Sequence, residues 1–268
     1  MTPPDRWFGA GRTETGYVRT TNQDAFAVLN DRMVWVVADG MGGHPAGDVA
    51  ARMAVASILQ AAESSLLSEH RTTDDSCRML SEWLIAANRE IHEQAQAQPG
   101  LTGMGTTIVT MTITGVPTPV VSIAHLGDSR AYLYRAGTLR QLTRDHTLIE
   151  KYLRSGLIDE AQSKIHPERH VLTQAVGIER HVTPTTTTIP LQPEDRLLLC
   201  TDGLTKMLDD REIAARLSDA EADPSRLRDA LIDQALDRGG EDNVTVIVCM
   251  RVEATGGHRA IDNTVSGM

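Results

Sequence analysis

The sequence predicts an α+β layered domain, with antiparallel sheets packed on one another and helices on the outside. Three observations lead there. The elements run strands, two helices, strands, two helices and a final strand, an order that layers helices over sheets. Short turns such as Asn30-Asp31 and Ala136-Gly137 join neighbouring strands as hairpins. The 268 residues are 41% hydrophobic and 23% charged, which suits one compact domain with a large core.

In order, Trp7 to Val18 reads as a first strand and turn. Asp24 to Leu29 and Met33 to Ala38 are strands. A helix follows from about Gly47 to Leu67, then a polar joint, Ser68 to Asp75. A second helix covers Ser76 to Gln96, where Met79, Leu80, Trp83, Leu84, Ala87 and Ile91 recur at helical spacing. Thr106 to Thr114 and Val120 to Leu126 are strands, as are Ala131 to Arg135 and Thr138 to Leu142. Arg144 to Gly177 is a polar surface excursion with short helical pieces, able to cover a cleft. Val182 to Ile189 and Arg196 to Cys200 return as strands. Asp209 to Leu217 and Pro224 to Asp237 are helices, the second begun by Asp223 as N-cap and Pro224 at the first position. Val244 to Val252 is the last strand. The expected boundaries are a domain over 1–253 and a loose tail over 254–268.

Composition excludes several classes. A net charge of −10 argues against nucleic-acid binding, which needs a basic patch. No apolar stretch is long enough for a membrane span, and the N-terminus has no signal core. Cys77, Cys200 and Cys249 lie far apart without zinc spacing, so they read as free thiols in a reducing compartment. A cytoplasmic monomer is the expectation.

Four acids stand out. Asp39 closes VWVVADG, Asp128 closes VVSIAHLGD, Asp202 closes RLLLCTDG and Asp242 opens EDNVTVIV. Each abuts a buried strand with a glycine beside it or nearby. Any one alone is an ordinary turn. Four in one context point to a converging acidic site, because buried carboxylates must be paired or metal-bound. Oxygen ligands without His or Cys select Mg²⁺ or Mn²⁺. Two such ions activate water and clamp both oxygens of an in-line displacement at phosphorus. Arg19 is then a candidate to grip a phosphate, and His44, on the glycine-rich bend, to donate a proton to the leaving group. The plainer alternatives are a solvated arginine and a helix-start histidine.

The sequence resembles the metal-dependent serine/threonine protein phosphatases, the type 2C-like family in its bacterial form. The matching segments are TETGYVRTTNQDAF, VVADGMGGHPAGDVAA, GMGTTIV, AHLGDSRAYLYR, LTRDHTLI, HVLTQAVG, LLLCTDGLTKML and GGEDNVTVIV, in the family's order up to about Glu253. The resemblance implies a four-layer α/β/β/α sandwich of two antiparallel sheets flanked by helix pairs. It implies a binuclear Mn²⁺ or Mg²⁺ centre at one end. There Asp39 bridges both ions, the Gly40 carbonyl serves one, and Asp202 and Asp242 serve the other. Asp24 holds metal-bound water from behind, and Asp128 with Asp202 forms a weaker third site. Arg19 binds the substrate phosphate, and Arg144 to Gly177 is the flap.

The implied activity is hydrolysis of phosphoserine and phosphothreonine in proteins by a metal-activated water, reversing a serine/threonine kinase. That kinase and its substrates are the expected partners. Gln23 stands where many members have Glu, Gln174 where Arg is common, and Glu14 replaces a frequent Asp. The alternative is a catalytically silent module that docks phosphoproteins.

Overall fold

The computed structural model describes residues 6–41, 46–65, 72–115, 118–252 and 263–266. The strands are β1 (Arg6–Glu14), β2 (Asp24–Leu29), β3 (Val34–Gly40), β4 (Thr106–Thr114), β5 (Val120–Leu126), β6 (Arg130–Arg135), β7 (Thr138–Gln141), β8 (Thr185–Pro190), β9 (Arg196–Cys200), β10 (Val244–Val252) and β11 (Thr264–Ser266). The helices are α1 (Gly47–Ser64), α2 (Thr73–Ala97), α3 (Leu148–Arg154), α4 (Glu160–Ile165), α5 (Asp202–Thr205), α6 (Asp210–Leu217) and α7 (Pro224–Asp237).

Two antiparallel sheets result, ordered β1-β10-β9-β6-β7 and β11-β2-β3-β4-β5-β8. Alternation along each strand divides the apolar residues among three cores. Trp35 and Val37 face the interior between the sheets, with Phe26, Val109, Leu197, Leu199 and Ile247. Their neighbours Val34, Val36 and Ala38 face α1 and α2, against Ala54, Ile58, Leu80 and Leu84. On the other sheet Val244, Val246 and Val248 face the second helical layer, against Leu227, Leu231 and Ile232. Both faces of each sheet are therefore covered, which is why VWVVA and RLLLC read as unbroken apolar runs. The four-layer arrangement follows. Cys200 and Cys249 are buried in it as small apolar residues. Aromatics are scarce, yet Trp35 is fully buried and donates from Nε1 to Asn30 Oδ1 at 3.1 Å.

Local chemistry explains most element ends. The hairpin between β6 and β7 turns through Ala136 and Gly137 with φ of 48° and 82°, the two left-handed positions that match strand twist. Asp159 and Asp209 each form a capping box, with Gln162 and Glu212 respectively.

Four expectations change. The second helix starts at Thr73 rather than Ser76, because the Thr72 hydroxyl accepts from Asp75 N–H at 3.1 Å and caps it earlier. The strand read from Val182 begins at Thr185. A one-turn helix, α5, begins at Asp202 itself. The tail is not loose throughout, since Thr264–Ser266 pairs antiparallel with Phe26 to Val28. Backbone pairing there satisfies an open sheet edge, a gain that composition does not reveal. Among the described residues no helix is long and apolar enough to cross a membrane.

Candidate active site

The acids gather where the two sheets end together. Register sets Asp24 of β2 directly opposite Asp39 of β3. Asp128 lies just beyond β5, Asp202 just beyond β9, and Asp242 just before β10. All but Asp24 line one cavity of about 650 Å³, together with Arg19, Gln23 and Gly40. Two Asp-Gly pairs make the close approach possible. A Cβ on Gly40 would meet the Gly47 carbonyl oxygen at 2.2 Å, and one on Gly203 would meet the Asn243 carbonyl oxygen at 1.9 Å. Only glycine lets these backbones cross.

Asp24 ties the sheets together beneath the cavity. Its Oδ2 accepts from Thr201 Oγ1 at 2.9 Å, just beyond β9, and from Thr245 Oγ1 at 2.6 Å, on β10 of the opposite sheet. Thr245 N–H in turn donates to Thr201 Oγ1 at 2.9 Å. Asn243 closes the rim: its Nδ2 donates to the Thr15 and Thr21 carbonyls at 2.8 and 3.0 Å, and its Oδ1 accepts from Gln23 N–H at 2.9 Å.

The electrostatics divide the acids. Burial, then the charges of Asp202 and Asp242, push Asp24 up to about 7, although its two threonine bonds work the other way. Burial and repulsion from Asp202 and Asp145 likewise push Asp128 up to about 7. Asp39 is driven well above the usual carboxylate range by burial, then by Asp24, Asp202 and Asp128. Asp242 lies below that range. Its partial burial opposes this, but bonds from Lys206 and Arg19 outweigh it. Lys206 Nζ sits 2.7 Å from Asp202 Oδ2 and 2.7 Å from Asp242 Oδ2. Arg19 Nε sits 2.8 Å from Asp242 Oδ1.

Among the described residues no three acidic, histidine or cysteine side chains form a ready-made metal ligand set. Basic groups hold Asp242 and one oxygen of Asp202, and the remaining acids repel one another. The residues nevertheless fit a hard divalent cation. Every candidate donor is oxygen. Asp24 Oδ1 and Asp202 Oδ1 are buried without a hydrogen-bond partner, a cost that calls for a ligand. The acids forced toward neutrality are those a cation would return to the charged form.

The excursion 144–177 leaves the body and comes back beside the cavity. His146 N–H donates to the Gly127 carbonyl at 3.0 Å, Thr173 N–H to the His146 carbonyl at 2.8 Å, and Val176 N–H to the Thr106 carbonyl at 2.8 Å. The His146 ring stacks on His125 at 4.6 Å. This segment is not all surface, since Ile149, Ala175 and Val176 are buried. Gln174 lines the cavity and its Oε1 accepts from Thr183 N–H at 3.2 Å. His44 lies outside the described residues. Sequence reasoning missed Thr201, Thr245, Asn243 and Lys206; the last carried a faint signal in its i,i+4 spacing from Asp202.

Comparison with known proteins agrees with this geometry. Residues 13–237 match the protein phosphatase 2C family. The serine/threonine phosphatase stp of Listeria monocytogenes is 38% identical over 244 residues, covering 90% of this chain and 94% of that one. The crystal structure of the serine/threonine phosphatase PstP/Ppp of Mycobacterium tuberculosis superposes with a TM-score of 0.81 at 33% identity, covering 91% of this chain and 98% of that one. A structure of the PstP catalytic domain in complex with two manganese ions gives a TM-score of 0.79 at 32% identity, covering 93% and 100%. With two sheets ending in shared acids and a match across most of its length, the chain belongs to the protein phosphatase 2C family.

Proposed function

We propose that the acidic centre hydrolyses phosphoserine and phosphothreonine in proteins, reversing a serine/threonine kinase. The observation that carries this is Asp39, set opposite Asp24 and sharing a cavity with Asp128, Asp202, Asp242 and Arg19. Two Mn²⁺ or Mg²⁺ ions with a weaker third, when bound, supply an activated water and offset the charge of the phosphate. Asp39 would hold both tight ions and the Gly40 carbonyl one of them. Asp202 and Asp242 would hold the second, and Asp128 with Asp202 the third. Asp24, fixed by Thr201 and Thr245, orients water from behind the ligands. Arg19 can turn its guanidinium from Asp242 to the substrate phosphate, because its side chain is 42% exposed. His44 is assigned proton donation to the leaving alkoxide. The catalytic domain is taken as 1–253 with 144–177 as its flap. We place it in the cytoplasm as a monomer, acting on phosphorylated proteins there.

The test is hydrolysis by metal-stripped protein titrated with Mn²⁺ and then Mg²⁺, using phosphoserine, phosphothreonine and phosphotyrosine peptides. Metal-dependent phosphate release from the first two, and little from the third, is the expected result. Tight metal binding without release from any peptide would overturn it in favour of a silent docking module.

A further inference from the structure

We infer that Lys206 is a tethered cation that competes with divalent ions for the acidic centre, so that loading the Asp202–Asp242 position requires Lys206 to leave. The inference rests on the metal-centre reading above but not on catalysis.

The placement follows from α5. Asp202 opens that single turn and Lys206 follows its last residue, so the lysine stem rises on the same face as Asp202, four positions on. Asp242 arrives from the start of β10 on the same side. The ammonium therefore lies between two carboxylates, 2.7 Å from an oxygen of each. These are the two carboxylates assigned to the second ion. Arg19 extends the row, donating from Nε to Asp242 Oδ1 at 2.8 Å and from Nη2 to the Oδ2 it shares with Lys206 at 3.1 Å. Alternation of charge runs Arg19, Asp242, Lys206, Asp202.

The row is sheltered enough to matter. Lys206 is 30% exposed, Asp202 20% and Asp242 16%, so salt screens it less than an open surface pair. Removing the positive charge would leave two close carboxylates facing one another, and Asp202 Oδ1 is already buried without a partner. The wild-type chain thus carries an internal counter-ion for Asp202 and Asp242, and that same cation raises the threshold at which a dication takes their oxygens. The Asp39–Gly40 position has no such basic neighbour bonded to it among the described residues. The two ions should consequently load at different concentrations, the Lys206-guarded one last.

Calorimetric titration of the metal-stripped full chain with Mn²⁺ tests this, comparing wild type with K206Q and K206R. Thermal unfolding of the stripped proteins is the second readout. In K206Q, one Mn²⁺ event should tighten by about tenfold or more, the scale of one sheltered ion pair no longer broken on binding. The other event should stay in place. Stripped K206Q should melt lower than stripped wild type, and regain more on adding Mn²⁺. K206R, which keeps the charge, should bind Mn²⁺ no more tightly than wild type. Equal or weaker Mn²⁺ affinity in K206Q would overturn the inference. So would K206R behaving like K206Q, since charge would not then be the cause. Failure of every variant to bind Mn²⁺ would overturn this inference and the metal centre together. Normal Mn²⁺ binding without peptide hydrolysis would overturn only the proposed function, because the Lys206 effect is read in binding.

Discussion

Strand β9 has an acid at each end, and the two are held in different ways. Asp195, just before the strand, is 1% exposed. Arg135 grips it with a fork, Nε to Oδ1 at 2.7 Å and Nη2 to Oδ2 at 2.5 Å, and Gln192 N–H adds a third bond at 2.7 Å. Asp202, just after the strand, has one oxygen on the Lys206 ammonium and the other buried without a partner. Asp195 is completed by a planar donor that fits both oxygens at once. Asp202 is joined to a point charge on a flexible stem, which can be exchanged. The first arrangement fixes a loop. The second leaves carboxylate oxygen in reserve for a cation from solution, and Asp39, Asp24 and Asp128 have no basic partner bonded to them at all among the described residues.

The largest expected effect breaks the reserved end. Asp39→Asn removes the carboxylate proposed to hold both ions, and phosphopeptide turnover should fall by about a thousandfold or more. Its circular dichroism should be unchanged, since Asn fills the same space. Undiminished turnover would sink the bridging role. Next comes the completed end. Arg135→Ala strands Asp195 in the interior and should cost about 3 kcal/mol of stability, read by urea unfolding. Its specific activity per folded molecule should hold, because Arg135 is remote from the cavity lining; a stability loss near zero would mean Asp195 finds other partners.

Arg19 joins the two kinds of behaviour, since it pairs with Asp242 yet is free to turn. Arg19→Ala should raise KM for a phosphopeptide about tenfold through loss of a charged hydrogen bond. An effect seen only in metal affinity would confine Arg19 to holding Asp242. The smallest effect is on pH dependence. Asp24 and Asp128 keep their protons up to about pH 7 in the fold, against an ordinary value of 3.8 when unfolded. The folded state therefore binds more protons across that window, and the stripped protein should lose stability as pH rises from about 4 to about 7. Below that window the contribution is fully present. Melting temperatures at several pH values, with and without Mn²⁺, check this. The fall should shrink when metal is loaded, and an identical slope in both would mean that these acids do not meet the ion.

Much of this was legible in the chain because the site interrupts a pattern. Asp39, Asp128 and Asp202 each stop an apolar run and Asp242 opens one, all with glycine beside them or nearby, so their unusual position shows locally. The layer order was legible for the same reason, from turns such as Asn30-Asp31 and the cap at Asp223. What stayed hidden depends on contacts across the fold. A threonine within a strand or just after one is ordinary, and nothing near Thr201 or Thr245 reveals that both hydroxyls meet on Asp24. Lys206 lies 36 residues from its second partner, and α5 is too short to display a helical pattern. Thr264–Ser266 is three residues long, and only the edge of β2 gives it a structure.

That last strand has a consequence for anyone shortening the chain. Asn263 pins the approach to it, donating from Nδ2 to Asp31 Oδ1 at 2.8 Å and accepting from Asn30 N–H at 3.0 Å. Without it, β2 would become the border of the six-stranded sheet, with a row of amide and carbonyl groups open to pairing. A second molecule could add its own strand there, so trimming would create a template for association. Because the same strand ends at Asp24, distortion of that border would be transmitted along one continuous backbone to the floor of the acidic cavity.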